Sequence, residues 1–171
     1  MTDVRATLWF DGASRGNPGP SGAGAVLKGG SRSVRFALPL PFQATSNVAE
    51  YTALIEGLRR ARALGVTHLE VRGDSELVLR QLQGTYRVKT PHLKPLHDEA
   101  RRLAGDFAEV RWTWVPREAN AEADHQSNLG ADQAEARREK IDALRDLEGR
   151  AGARRAAVTT SPRCGRRPCC R

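Results

Sequence analysis

The stretch Trp9–Leu27, WFDGASRGNPGPSGAGAVL, joins the fold to the chemistry. An apolar run ends on an acid, Asp11. A loop rich in Gly and Pro follows, and a second apolar run begins at Gly22. Outward from this stretch, Val4–Phe10 reads as a strand, and Gly22–Lys28 and Ser33–Leu38 as two more. A Gly-Gly-Ser turn between the latter two signals a hairpin, so the first three strands read as an antiparallel meander. Val48, Tyr51, Leu54, Ile55, Leu58 and Ala61 then recur at helical spacing, and Gly65 stops that helix.

The second half alternates. His68–Asp74 reads as a strand and Glu76–Leu82 as a short helix. A further helix opens on Thr90 as N-cap with Pro91 at its first position, and Leu93, Leu96, Ala100 and Leu103 form its stripe. Glu109–Val115 reads as the last strand. A final helix is expected from near Asn120, its N-cap, to about Leu147. The order βββαβααβα, with strands and helices alternating late, predicts an α/β fold: a mixed sheet with helices on its faces.

The 171 residues suffice for one domain with its own core. The formal charge is +8, and its location says more than its sum. Residues 1–136 hold 17 Lys and Arg against 16 Asp and Glu, whereas residues 137–171 hold 11 against 4. Cys164, Cys169 and Cys170 also lie in that last segment. Three is an odd number and no His is near, so neither a disulfide framework nor a zinc site is expected. From about Gly149 the periodicity is lost, and an Arg-, Gly- and Pro-rich tail without order is expected. No window approaches the roughly 18 apolar residues of a membrane span, and MTDVRATLWF lacks the pattern of a signal peptide. The expected address is cytoplasmic.

Four acids stand at corresponding places. Asp11 and Asp74 each end a strand, and parallel pairing of those strands brings both to one carboxyl-terminal edge, where open α/β sheets bind ligands. Glu50 lies in the first turn of the helix after the meander, and Asp124 near the start of the last helix. Each has a local explanation: a turn at Asp11, capping at Asp74 and Ser75, a capping box from Asn47 to Glu50, a first-turn acid at Asp124. Together they are harder to explain that way. Two unit charges about 4 Å apart repel by about 4 kcal/mol at an effective dielectric near 20. Four clustered carboxylates therefore call for a cation, and an all-oxygen set selects Mg²⁺ or Mn²⁺. Two such ions suit displacement at phosphorus. The glycine loop lets backbone approach a ligand closely, and it matches neither a Walker A loop nor a dinucleotide fingerprint.

DGASRGNPGPSGAGAVL, TSNVAEYTALIEGL, VRGDSELVLRQL and WVPREANAEAD, in this order and at these separations, resemble ribonuclease H of type 1 over about Asp3 to Gly130. The resemblance implies a five-stranded sheet of order 3-2-1-4-5. With it, residues 1–132 are expected to form a ribonuclease H domain; beyond it, periodicity and composition give 133–148 as a continuation of the last helix or a linker and 149–171 as a basic tail. The resemblance implies that Asp11, Glu50, Asp74 and Asp124 bind two Mg²⁺ (or Mn²⁺), and that the chain cuts the RNA strand of an RNA–DNA hybrid to leave 5′-phosphate and 3′-hydroxyl ends. A monomer is the default expectation. Asn17 and Asn47 would contact the minor groove, where the 2′-hydroxyl marks RNA. Thr45, with Lys28, would hold a DNA phosphate.

The chain also departs from the family. Tyr86 to His92 passes straight into the next helix, without the basic protrusion of many bacterial members. The loop before Asp124 carries no His, as in the compact branch, and His125 reads as a surface residue. Gln126 stands where an apolar residue is usual, so weaker docking of the last helix is expected. Asn120, one turn before Asp124, is an alternative partner for the acids. A hybrid-binding domain that does not cut, and a DNA nuclease of the same fold, are the competing readings.

Overall fold

Strand β1 (Arg5–Ser14) is the centre of a five-stranded sheet of order β3-β2-β1-β4-β5, as the resemblance implied. The structure, a computed structural model, describes residues 3–159, of which 149–159 through the backbone alone. Strands β2 (Ser21–Gly29) and β3 (Arg32–Pro39) complete an antiparallel meander with β1. Strands β4 (His68–Gly73) and β5 (Glu109–Trp114) pair in parallel on its other side. Helices α1 (Ser46–Ala63), α2 (Glu76–Leu82), α3 (Lys94–Ala104) and α4 (Ala121–Thr159) connect and cover the sheet.

The sequence reading stops β1 at Phe10, but the strand runs on to Ser14. Its pairing with β2 continues through Asp11↔Gly24, Gly12↔Ala23, Ala13↔Gly22 and Ser14↔Ser21. Its pairing with β4 ends at Trp9↔Arg72. Past Trp9, β1 therefore has a neighbour on one side only, and Asp11 stands at the mouth of the gap.

Alternation along β1 sends Leu8 and Phe10 into the core beneath α1, both almost fully buried. Helix α1 meets them with Ala49, Ala53, Leu54, Leu58 and Ala61. Each large apolar side chain buried this way contributes about 1.5–3 kcal/mol. Gly12 lies directly beneath the helix: a Cβ there would fall 2.2 Å from the Glu50 nitrogen.

The opposite face of β2 receives α4. Ala123, Ser127, Gly130, Ala131 and Ala134 are buried at helical spacing. A Cβ on Gly24 would sit 2.1 Å from the Ser127 nitrogen, and one on Gly22 2.1 Å from the Ala131 nitrogen. The glycines of GAGAV thus form a floor on which the helix backbone rests. Gln126 lies beside this contact row, so the docking that it was expected to weaken is carried by small residues instead.

Two helix starts differ from expectation. Pro91–Leu93 forms a 3₁₀ turn before α3, and the Thr90 side chain makes no capping bond. Thr45, not Asn47, caps α1, its hydroxyl accepting from the Val48 N–H at 3.4 Å. The chain divides into two compact units after Ala136. Helix α4 runs through that point to Thr159, past Leu147 and past Gly149, in a segment rich in Ala and Arg, both strong helix formers. The three cysteines lie outside the described residues. Among the described residues no helix is long and apolar enough to cross a membrane.

Candidate active site

All four acids line one cavity of about 380 Å³ at the carboxyl-terminal edge of β1 and β4. Asp11 reaches it from the overhanging end of β1, Glu50 from the first turns of α1, Asp74 from just past β4, and Asp124 from the first turn of α4. The parallel β1–β4 pairing and the two helix starts account for the convergence.

Each carboxylate has one oxygen held by a side-chain donor. The Ser127 hydroxyl donates to Asp11 Oδ2 at 2.6 Å, and the Ser75 hydroxyl to Glu50 Oε2 at 2.5 Å. Asn120 Nδ2 donates to Asp74 Oδ1 at 3.1 Å and to the Phe10 carbonyl at 3.0 Å. Arg117 Nη2 donates to Asp124 Oδ1 at 2.8 Å. Among the described residues, the other oxygen of each pair, Asp11 Oδ1, Glu50 Oε1, Asp74 Oδ2 and Asp124 Oδ2, takes no side-chain hydrogen bond, and the Asp11 carboxylate also accepts from the Gly12 N–H. Trp114, exposed on the rim, donates from Nε1 to the Asp74 carbonyl at 3.2 Å.

Burial raises the Asp11 pKa to about 6, helped by the charges of Asp74 and Asp124 and opposed by the Ser127 hydrogen bond. Burial likewise raises Glu50 to about 7, with Asp11 and Asp74 adding to the effect and Ser75 opposing it. The charged form of both carboxyls is disfavoured first by burial and then by the neighbouring acids, and a cation would relieve both. An all-carboxylate donor set suits a hard divalent cation. Among the described residues, no group of three or more acidic, His or Cys side chains is drawn together closely enough to hold a metal ion. The fit therefore rests on donor chemistry and on charge.

Sequence reasoning located the acids and missed most of their partners. Asn120, expected first as an N-cap, closes a 3₁₀ turn (Arg117–Asn120), and its buried side chain reaches Asp74, the alternative reading. Ser75 sits at the N-cap position of α2 but makes no side-chain capping bond and serves Glu50. Ser127 had one available signal: it lies three residues after Asp124 on the same helix face. Arg117 had none, because its role depends on the turn that places it. His125 is exposed, as expected.

The candidate substrate residues separate into two places. Asn17, Thr45 and Asn47 gather where the glycine loop meets the start of α1: Asn17 Oδ1 accepts from the Ser46 N–H at 3.3 Å, and Gly19 bridges to Ala44. Lys28 is not among them. Strand β2 runs antiparallel to β1, so Lys28 pairs with Thr7, six residues or about 20 Å of strand from Gly22. Its Nζ is bound to Glu122 at 2.5 Å and lies over the Trp9 ring. Its assignment to the phosphate pocket is corrected accordingly.

This fold and site have known counterparts. The family described as Reverse transcriptase-like matches residues 9–130. The bifunctional protein Rv2228c of Mycobacterium tuberculosis is 44% identical over 133 residues, covering 77% of this chain and 36% of that protein. Ribonuclease HI of Halobacterium salinarum is 42% identical over 131 residues, covering 76% of this chain and 66% of that protein. The chain thus spans about a third of the mycobacterial relative and just under two thirds of the archaeal one. The crystal structure of LC11-RNase H1 in complex with an RNA/DNA hybrid superimposes with a TM-score of 0.68 at 34% identity, covering 77% of this chain and 99% of that one. With its sheet order, its acids and these relatives, the chain belongs to the ribonuclease H family.

Proposed function

We propose that the protein is an endonuclease that hydrolyses the RNA strand of RNA–DNA hybrids and leaves 5′-phosphate and 3′-hydroxyl ends. The observation that carries this reading is the set of four carboxylates around one cavity, each with one oxygen held by a side-chain donor. Asp11, Glu50, Asp74 and Asp124 would hold two Mg²⁺ or Mn²⁺ ions. Such ions supply charge stabilisation at the reacting phosphate and lower the pKa of water.

The chain's own groups do the rest. Ser127, Ser75, Asn120 and Arg117 fix the orientation of the acids. The glycine loop brings backbone close to the substrate, and Asn17 and Asn47 stand beside it for the minor groove, where only RNA offers a 2′-hydroxyl. Thr45 marks the place for a phosphate of the DNA strand. The excess positive charge of residues 137–171 adds attraction for any duplex.

The test is cleavage of an end-labelled hybrid beside RNA–RNA and DNA–DNA duplexes of the same sequence, in Mg²⁺ and in Mn²⁺. Internal cuts confined to the RNA of the hybrid are expected, and they disappear in Asp74→Asn. A folded protein that binds the hybrid but cuts it in neither metal would instead be a binding module. Cleavage of the DNA duplex at an equal rate would make it a DNA nuclease of the same fold.

A further inference from the structure

Ser127 is the most deeply placed polar side chain at the site. It has no exposed surface, and its hydroxyl lies 2.6 Å from Asp11 Oδ2 and 2.9 Å from the Asp124 carbonyl oxygen. A serine hydroxyl has one proton to donate. The shorter contact and the charged acceptor direct that proton to Asp11, with the carbonyl as the alternative acceptor. No other side chain donates to the Asp11 carboxylate among the described residues.

The fold provides for this contact. Asp11 sits beyond the end of the β1–β4 pairing, so no adjacent β4 side chain steadies it there. On the β2 side its register partner is Gly24, which brings no side chain. The missing Cβ of Gly24 lets the Ser127 backbone settle onto the strand, and any larger residue would hold α4 away. Gly24 and Ser127 thus form one device: the glycine admits the helix, and the helix delivers the hydroxyl.

We propose that Ser127 is a positioning residue for the metal site: it fixes the Asp11 carboxylate so that Oδ1 faces the cavity beside Glu50, Asp74 and Asp124. The proposal rests on the divalent-ion reading of the four acids. Donors that orient a ligating side chain influence affinity, and removing one costs about 10–100-fold in metal binding or activity.

The experiment titrates the full chain with Mn²⁺ alone, by calorimetry, and records thermal midpoint and hybrid KM alongside. Ser127→Ala is expected to weaken Mn²⁺ binding about tenfold or more, with the KM for hybrid unchanged at saturating metal. Ser127→Cys fills the same space and keeps only a weak donor, so its affinity falls between the two. A lowered thermal midpoint with wild-type Mn²⁺ affinity in both variants would make Ser127 a packing residue and overturn the proposal. A wild-type chain that neither binds Mn²⁺ nor cuts hybrid in any divalent metal would overturn the metal reading itself, and this proposal with it.

Discussion

At the scale of single residues, the raised carboxyls have a consequence for stability. Asp11 and Glu50 titrate near pH 6 and 7 in the folded chain, well above the ordinary values of 3.8 and 4.5. Between about pH 4 and 7 the folded state therefore holds protons that the unfolded state has released. Stability then falls as pH rises through that window, by at most about 1.4 kcal/mol per pH unit for each group. The contribution is favourable below the unfolded values and is lost as pH passes the folded ones. Glu99, held near pKa 2 by its hydrogen bond from Arg102, runs the other way, but its transition lies below the window. With metal removed by chelator, the thermal midpoint of the wild type is expected to drop between pH 5 and 7 relative to that of Asp11→Asn, whose curve is flatter. Parallel curves would show that Asp11 does not hold its proton. Added Mg²⁺ should reduce the difference, because a cation takes the place of the proton.

At the scale of elements, the glycines of β2 separate what was legible in the sequence from what was not. The acids were legible because each was read at a strand's end or a helix's start, although β1 runs on through Asp11 to Ser14. The strand order was legible only through the family resemblance that the four motifs carry. The donors were not legible: Ser75, Asn120 and Arg117 lie near acids in sequence, yet which acid each serves depends on how α1, β1 and β4 meet. Lys28 was misplaced because a strand's direction decides which edge a residue reaches. Gly22 and Gly24 read as ordinary residues of a strand, and their role appears only once α4 lies across them. Gly24→Ala places a Cβ 2.1 Å from the Ser127 nitrogen. Overpacking of this kind costs about 1–3 kcal/mol, and here it also moves the hydroxyl away from Asp11, so stability and cleavage are both expected to fall. Gly65→Ala is the comparison. Gly65 has φ +74° with open space around it, at the far end of α1. Its strain costs about 1–3 kcal/mol, while cleavage by the folded fraction stays at the wild-type rate. Denaturant titration and initial rates on the two variants distinguish them, and equal losses of rate would remove the special role of the β2 floor.

At the scale of the whole molecule, charge is divided as sharply as structure. The unit that holds the site is nearly neutral, and its cavity is lined by four acids that repel a polyanion. Residues 137–171 carry a net charge of +7, and from Arg150 onward seven arginines occur with no acid. On the proposed reading, a hybrid would be attracted by that segment and cut at the β1–β4 edge. Only a short passage, Tyr86 to His92, leads into the 3₁₀ turn and α3, and the arginines after Gly149 hold the chain's main excess of positive charge. Each phosphate neutralised on a duplex steepens the salt dependence of binding by about 0.9 in log–log slope. A chain ending at Gly149 is therefore expected to bind hybrid more weakly at low salt. Its slope should be shallower by about 0.9 for each phosphate that the tail would have neutralised. Its kcat at saturating substrate should be unchanged, because the four acids and their donors all lie before residue 130. Binding isotherms between about 50 and 200 mM salt decide the matter. An unchanged slope would mean that the tail does not touch the duplex, and a lowered kcat would mean that it acts on the site itself.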